Sequence, residues 1–128
     1  MISRLLLSSS LLLLVISPLA LPVPASAFQN GKEEKDGAIL FRDKGCAYCH
    51  GTGAIGTKKA PALTDLWKDK SWTPEKITNQ ILNGGQKMPP FRDSVTDEEA
   101  GQLVAYLRAK NKPVPPPTTD DATQSSPQ

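Results

Sequence analysis

The 128-residue sequence is short of most of the residue types that carry chemistry: it holds one His, two Cys and two Met, and aromatic residues make up 5% of it. Two Cys cannot staple a disulfide scaffold, and without a second Cys/His pair at ligand spacing the chain offers no four-ligand zinc site. An excess of one charge is also missing. Fifteen basic residues face 13 acidic ones and the longest basic run near the middle is Lys58-Lys59, which argues against a nucleic-acid partner. The length allows a single domain and excludes a two-domain enzyme with its own dinucleotide fold.

Apolar residues are scarce where a core is needed. Residues 1–27 hold 17 of them, and from Pro113 onward only Val114 and Ala122 remain, which leaves about 30 for an 85-residue body. Small domains bury a low fraction of their surface and often need a crosslink, a metal or another added component. Composition therefore calls for something besides side chains in the interior.

The two ends read as separate from that body. Arg4, the Leu-rich stretch Leu5–Ile16 and the small residues Ala25-Ser26-Ala27 match an export signal over 1–27, cut before Phe28. No Cys adjoins the cut, so no lipid anchor is expected, and the mature chain would work outside the cytoplasm without a permanent membrane span. The last segment, 113–128, is rich in Pro and poor in apolar residues, a composition expected to stay disordered.

Between them, 28–112 reads as one all-α domain, with no strict alternation of the kind a half-buried strand requires. The clearest helix opens with Thr96 and Glu99 as a capping box and carries Ala100, Leu103, Val104 and Leu107 at helical spacing; Arg108, Lys110 and Lys112 suit its C-terminal end, and Pro113 stops it. A second starts at Thr73-Pro74-Glu75, buries Ile77, Ile81 and Leu82, and ends at Gly84-Gly85. A third runs from about Lys32 to Lys44, with Gly45 as its stop and Ile39, Leu40 and Phe41 as its apolar residues. The connection from His50 to Thr73 is long for a compact domain, interrupted by one turn around Thr64–Lys68, and connections of that kind are usually functional or wrapped around something.

The chemistry concentrates in Cys46-Ala47-Tyr48-Cys49-His50, a C-x-x-C-H pattern of covalent haem attachment that consumes both Cys and the only His. Two Cys three apart on a helical turn present both sulfurs to one porphyrin edge, and the next residue aims an imidazole at the iron. A Cys46–Cys49 disulfide would close a very short loop with little stabilisation and leave His50 unexplained. A thioredoxin-like redox motif expects a strand before it and a βαβ pattern around it, neither of which is visible. On the far face the iron needs a soft neutral ligand, or that position stays open. Met88 is the only Met left once the leader is cut, and it sits in the Gly/Pro loop 83–91, where Pro89 holds it extended.

With these two motifs the chain resembles the class I bacterial cytochromes c, small monohaem electron carriers, over about residues 31–111. The resemblance implies a small cytochrome c fold: three main helices and loops wrapped around one covalently attached haem c, with His50 and Met88 as the iron ligands. It also implies a right-angled crossing of the first and last helices, with Gly37 and Phe41 meeting Tyr106. Pro61 in Ala60-Pro61-Ala62-Leu63 matches the proline whose carbonyl accepts the proximal imidazole N–H, and Leu63 would pack on the haem face. Trp67 and Trp72 are both candidates for a propionate contact.

The function so implied is a soluble, monomeric, periplasmic one-electron carrier, not an enzyme, that exchanges electrons with redox partner proteins such as an oxidase, a reductase or other cytochromes. Lys58, Lys59, Lys87 and Arg92 would form a weak positive ring for docking. Two other classes stay open at this stage: a haem enzyme or gas sensor with an open distal site, and a haem-free CxxC thiol oxidoreductase.

Overall fold

The computed structural model describes residues 26–118, and the described chain is all-α. Its elements are α1 (Ser26–Asp43), α2 (Cys46–His50), a 3₁₀ turn at Thr52–Ala54, α3 (Pro74–Asn83) and α4 (Asp97–Arg108). No described helix is long and apolar enough to cross a membrane. The export signal expected over 1–27 lies outside the described residues except for Ser26 and Ala27, which open α1.

Local sequence accounts for α3 and α4. Thr96 Oγ1 accepts from the Glu99 N–H at 3.2 Å while Glu99 Oε2 accepts from the Thr96 N–H at 2.9 Å, a complete capping box. Ala100, Leu103, Val104, Tyr106 and Leu107 then face inward. In α3 the Thr73 hydroxyl caps the Lys76 N–H, Pro74 occupies the first turn and Ile77, Ile81 and Leu82 are buried.

The frame is the crossing of α1 on α4. Gly37 packs so close that a Cβ there would lie 2.7 Å from the Gln102 carbonyl carbon and 2.7 Å from Tyr106 Cβ. One turn along, the Phe41 and Tyr106 rings meet with centroids 5.2 Å apart and planes tilted by 48°. Lys44 ties the end of α1 to the start of α4, pairing with Glu99 Oε1 at 2.9 Å. The contact of Gly37 and Phe41 with Tyr106 implied by the resemblance is therefore present.

Two helix ends differ from expectation. The first helix begins at Ser26, six residues before Lys32, because residues 30–33 are exposed and carry no apolar pattern from which a start could be read. The last helix ends at Arg108 instead of reaching Lys112. Ala109 turns extended (φ −62°, ψ 132°), and the Lys112 ammonium folds back onto the carbonyls of Leu107 (2.9 Å) and Ala109 (3.1 Å), capping the helix from outside it. Burial there pushes the Lys112 ammonium below its ordinary pKa. Beyond it, the first part of the Pro-rich segment, 113–118, has a defined path, and the Arg42 guanidinium donates to the Pro116 carbonyl. Residues 119–128 lie outside the described residues.

The long connection after α2 bends sharply and then turns at Thr64–Lys68. Gly51, Gly53, Ala54 and Gly56 all take positive φ; Ala54, at φ 61°, is the non-glycine among them and is wholly buried.

Candidate functional site

The C-x-x-C-H motif forms α2, so Cys46 and Cys49 stand three residues apart on one face of the helix. Both are half-buried thiols, and burial pushes the Cys46 thiol up. His50 ends the helix. Its Nδ1 lies 2.9 Å from the Pro61 carbonyl, and with a proton on Nδ1 the ring donates to that oxygen and leaves the Nε2 lone pair free for a metal.

Backbone hydrogen bonds bring Pro61 there. The Gly56 N–H donates to the His50 carbonyl at 2.7 Å and the Leu63 N–H to the Ala54 carbonyl at 2.8 Å, so both ends of the loop are fixed. Across from α2, the α3–α4 connection doubles back. Gly84 (φ 71°) permits this, since a Cβ on it would lie 2.5 Å from the Met88 carbonyl, and the Gly85 N–H donates to that same carbonyl at 2.8 Å.

Between these parts lies a cavity of about 780 Å³. Cys46, Cys49, His50, Pro61, Leu63 and Met88 all line it. Its remaining wall is largely apolar: Phe41, Leu66, Ile77, Ile81, Phe91, Leu103 and Leu107. Leu63 and Met88 pack partly buried against the core cluster. The cavity opens to solvent on one side, and its largely apolar wall suits a group that covers apolar surface. Two thiols and an unencumbered imidazole nitrogen on one side, a thioether-bearing loop on the other and apolar walls fit a haem held covalently at one edge.

Of the two tryptophans, Trp72 lines the cavity and Trp67 does not; Trp67 instead lies under Lys68 and Lys110, 5.1 and 5.5 Å from its ring. The Trp72 carbonyl accepts from the Arg108 guanidinium at 2.6 Å, which ties the end of the long connection to α4. Of the four cations expected to ring the site, Lys59 and Lys87 line the cavity, while Arg92 donates to Asn83 Oδ1 at 3.0 Å. Lys59 lies over the Tyr48 ring, 3.3 Å from its centroid, and Tyr48 is 74% exposed.

One polar neighbour escaped the sequence reading. Gln80 points its amide at the Met88 sulfur, Nε2 to Sδ 3.9 Å. The signal available was spacing: Gln80 follows the buried Ile77 by three residues and so shares its face of α3.

The family described as cytochrome c oxidase, cbb3-type, subunit III, matches residues 32–107. The chain belongs to this family of c-type cytochromes. Among its relatives, the cbb3-type cytochrome c oxidase subunit FixP of Sinorhizobium medicae (strain WSM419) is 38% identical over 56% of this chain, which spans only 28% of that subunit. Cytochrome c6 of Bryopsis maxima is 36% identical over 60% of this chain and 91% of its own. Cytochrome c-551 of Pseudomonas aeruginosa is 30% identical over 70% of this chain and 90% of its own. In structure the cytochrome is similar to the c-type cytochrome XoxG of Methylobacterium extorquens AM1, with a TM-score of 0.53 and 25% identity over 72% of this chain and 64% of that one. As a c-type cytochrome the protein carries covalently bound haem c, with one motif for one haem.

Proposed function

We propose that this cytochrome is a periplasmic one-electron carrier in which Cys46 and Cys49 hold the haem by thioethers and His50 and Met88 bind its iron. The observation that carries the reading is the convergence of all four side chains on one apolar cavity. When bound, the haem supplies a one-electron iron couple.

The chain's own residues do the rest. The His50–Pro61 hydrogen bond fixes the tautomer and the orientation of the ring and increases its donor strength. Methionine ligation and the apolar walls both disfavour the extra positive charge of the oxidised state and together push the potential upward. With His50 and Met88 both as ligands, the bound haem would leave no position for a substrate, so the protein would pass electrons and not act as an enzyme. Leu63 would pack against it. The partners are redox proteins, an oxidase, a reductase or another cytochrome, which a monomer meets transiently at a surface that includes Lys59 and Lys87.

Absorption spectra of the mature protein, made with a haem-attachment system and recorded oxidised and reduced, test this. The expected result is a low-spin spectrum with the weak far-red iron–sulfur band of Met ligation, unresponsive to carbon monoxide, and the loss of that band in Met88→Ala. Ready carbon monoxide binding by the wild-type protein would show an open distal site, and a colourless protein with alkylatable thiols would show a thiol oxidoreductase.

A further inference from the structure

We infer that Thr57 is a positioning residue: its hydroxyl sets the hydrogen bond between His50 and Pro61. The inference rests on the haem reading above.

Pro61 lines the cavity, and its carbonyl carbon packs close to Gly56, 3.1 Å from where a Cβ there would lie, so the position of the Pro61 carbonyl follows the path of the turn that leads into it. The backbone bonds at Gly56 and Leu63 anchor the two ends of the loop and leave 57–62 between them. Inside that stretch the Thr57 N–H donates to the Ala60 carbonyl at 2.9 Å and closes a turn that leads straight into Pro61. The Thr57 hydroxyl fastens this turn to α2. It donates to the Cys49 carbonyl at 2.5 Å and accepts from the Lys59 N–H at 3.0 Å, so its donor and one acceptor position are both used. The Cys49 carbonyl sits at the end of a five-residue helix, where carbonyls have no partner inside the helix. Water could satisfy that carbonyl equally well, but only a group belonging to the loop can tie the motif to the turn that carries Pro61. One hydroxyl thus joins the residue before His50 to the segment that supplies the acceptor for the His50 ring.

Without the hydroxyl, the turn swings away from α2 more often and the His50 ring N–H spends more time facing water. An ordinary intramolecular hydrogen bond shifts such a local equilibrium about two- to tenfold. A looser acceptor also weakens the donation of the imidazole to iron, which moves the midpoint potential upward.

The test uses the haem-loaded mature chain as wild type, Thr57→Val and Thr57→Ser, with two readouts: the solvent-exchange rate of the His50 Nδ1 proton in the reduced protein by NMR, and the midpoint potential. Thr57→Val should exchange about two- to tenfold faster and show a higher potential, with Thr57→Ser close to wild type. A lower melting temperature in Thr57→Val with unchanged exchange and potential would mean an ordinary structural role and overturn the inference, while an intact far-red band in the same sample would leave the ligand assignment standing. An Nδ1 proton already unprotected in the wild type overturns it without any variant, and a wild-type chain that attaches no haem overturns both readings.

Discussion

Replacing Gly37 with alanine should cost the haem-loaded protein about 2 kcal/mol or more of stability. The added methyl would lie 2.7 Å from both the Gln102 carbonyl carbon and Tyr106 Cβ, with the Gln102 oxygen nearer still. Carbon atoms in contact prefer about 3.5–4.0 Å, so α1 must lift from α4 by roughly 1 Å at the crossing. Two of the three obstacles belong to the backbone of a capped helix and cannot swing aside. Lifting the crossing also separates Phe41 from Tyr106, both almost fully buried. Overpacking of this kind costs ~1–3 kcal/mol and occasionally more, and so close an approach to the Gln102 oxygen belongs at the upper end, which leaves about 2 kcal/mol after a gain of up to ~1 kcal/mol from replacing glycine inside a helix. The clash wins. For a domain of this size the melting temperature should fall by roughly 8–16 °C, read from thermal unfolding followed by far-ultraviolet circular dichroism and haem absorption together. Gly101 supplies the control, since it lies within α4 with no heavy atom inside 4 Å of its would-be Cβ. Gly101→Ala should therefore stabilise by about 0.5–1 kcal/mol. Equal stability of Gly37→Ala and wild type, or a shift in the same direction for both glycines, would refute the close approach.

The Thr96 N–H, followed by the Lys44 ammonium, holds the Glu99 carboxyl below the usual glutamate value of 4.5. A depressed folded-state pKa contributes stability above the unfolded value that is lost as pH falls through the folded one, so the stability gap between wild type and Glu99→Gln should be full above the ordinary value of 4.5 and close as pH falls below it in urea titrations. A gap that stays constant through that fall would show that the carboxylate charge is not what the capping box uses. A Cys46→Ala, Cys49→Ala chain should be largely unfolded by circular dichroism, because the apolar residues left to it surround a space that nothing fills. Cooperative unfolding of that haem-free chain would show a self-sufficient core.

What could be read in advance follows where the physics is local. Thr73-Pro74 and Thr96…Glu99 name helix starts because capping needs only neighbours in sequence, and both starts lie where those residues put them. The Gly37–Phe41–Tyr106 crossing was legible through resemblance, since no local rule connects positions so far apart. The start of α1 and the end of α4 were not legible. The first turns of α1 bury nothing from which a period could be read, and α4 is ended by Lys112 reaching back from four residues beyond Arg108. At the site, the structure brings Cys46, Cys49, His50, Pro61, Leu63 and Met88 around one cavity. Gln80 and Thr57 went unnoticed because each acts through a hydrogen bond to a partner eight residues away that only the folded loops bring near.

Ala54 bears on how such a sequence can drift. Its left-handed backbone selects glycine or asparagine, and its complete burial selects glycine or alanine. The two demands overlap at glycine, so this chain keeps a methyl group at a backbone cost of about 1 kcal/mol and gains a less flexible unfolded chain and a filled corner of the core. Any larger residue at 54 would have to displace the packing around a fully buried position whose carbonyl holds the Leu63 N–H at the wall of the haem cavity. Position 54, far from the motif in chemistry yet tied to its cavity by one carbonyl, should accept only glycine or alanine among functional variants, and a saturation library scored for haem retention would show the same narrow choice.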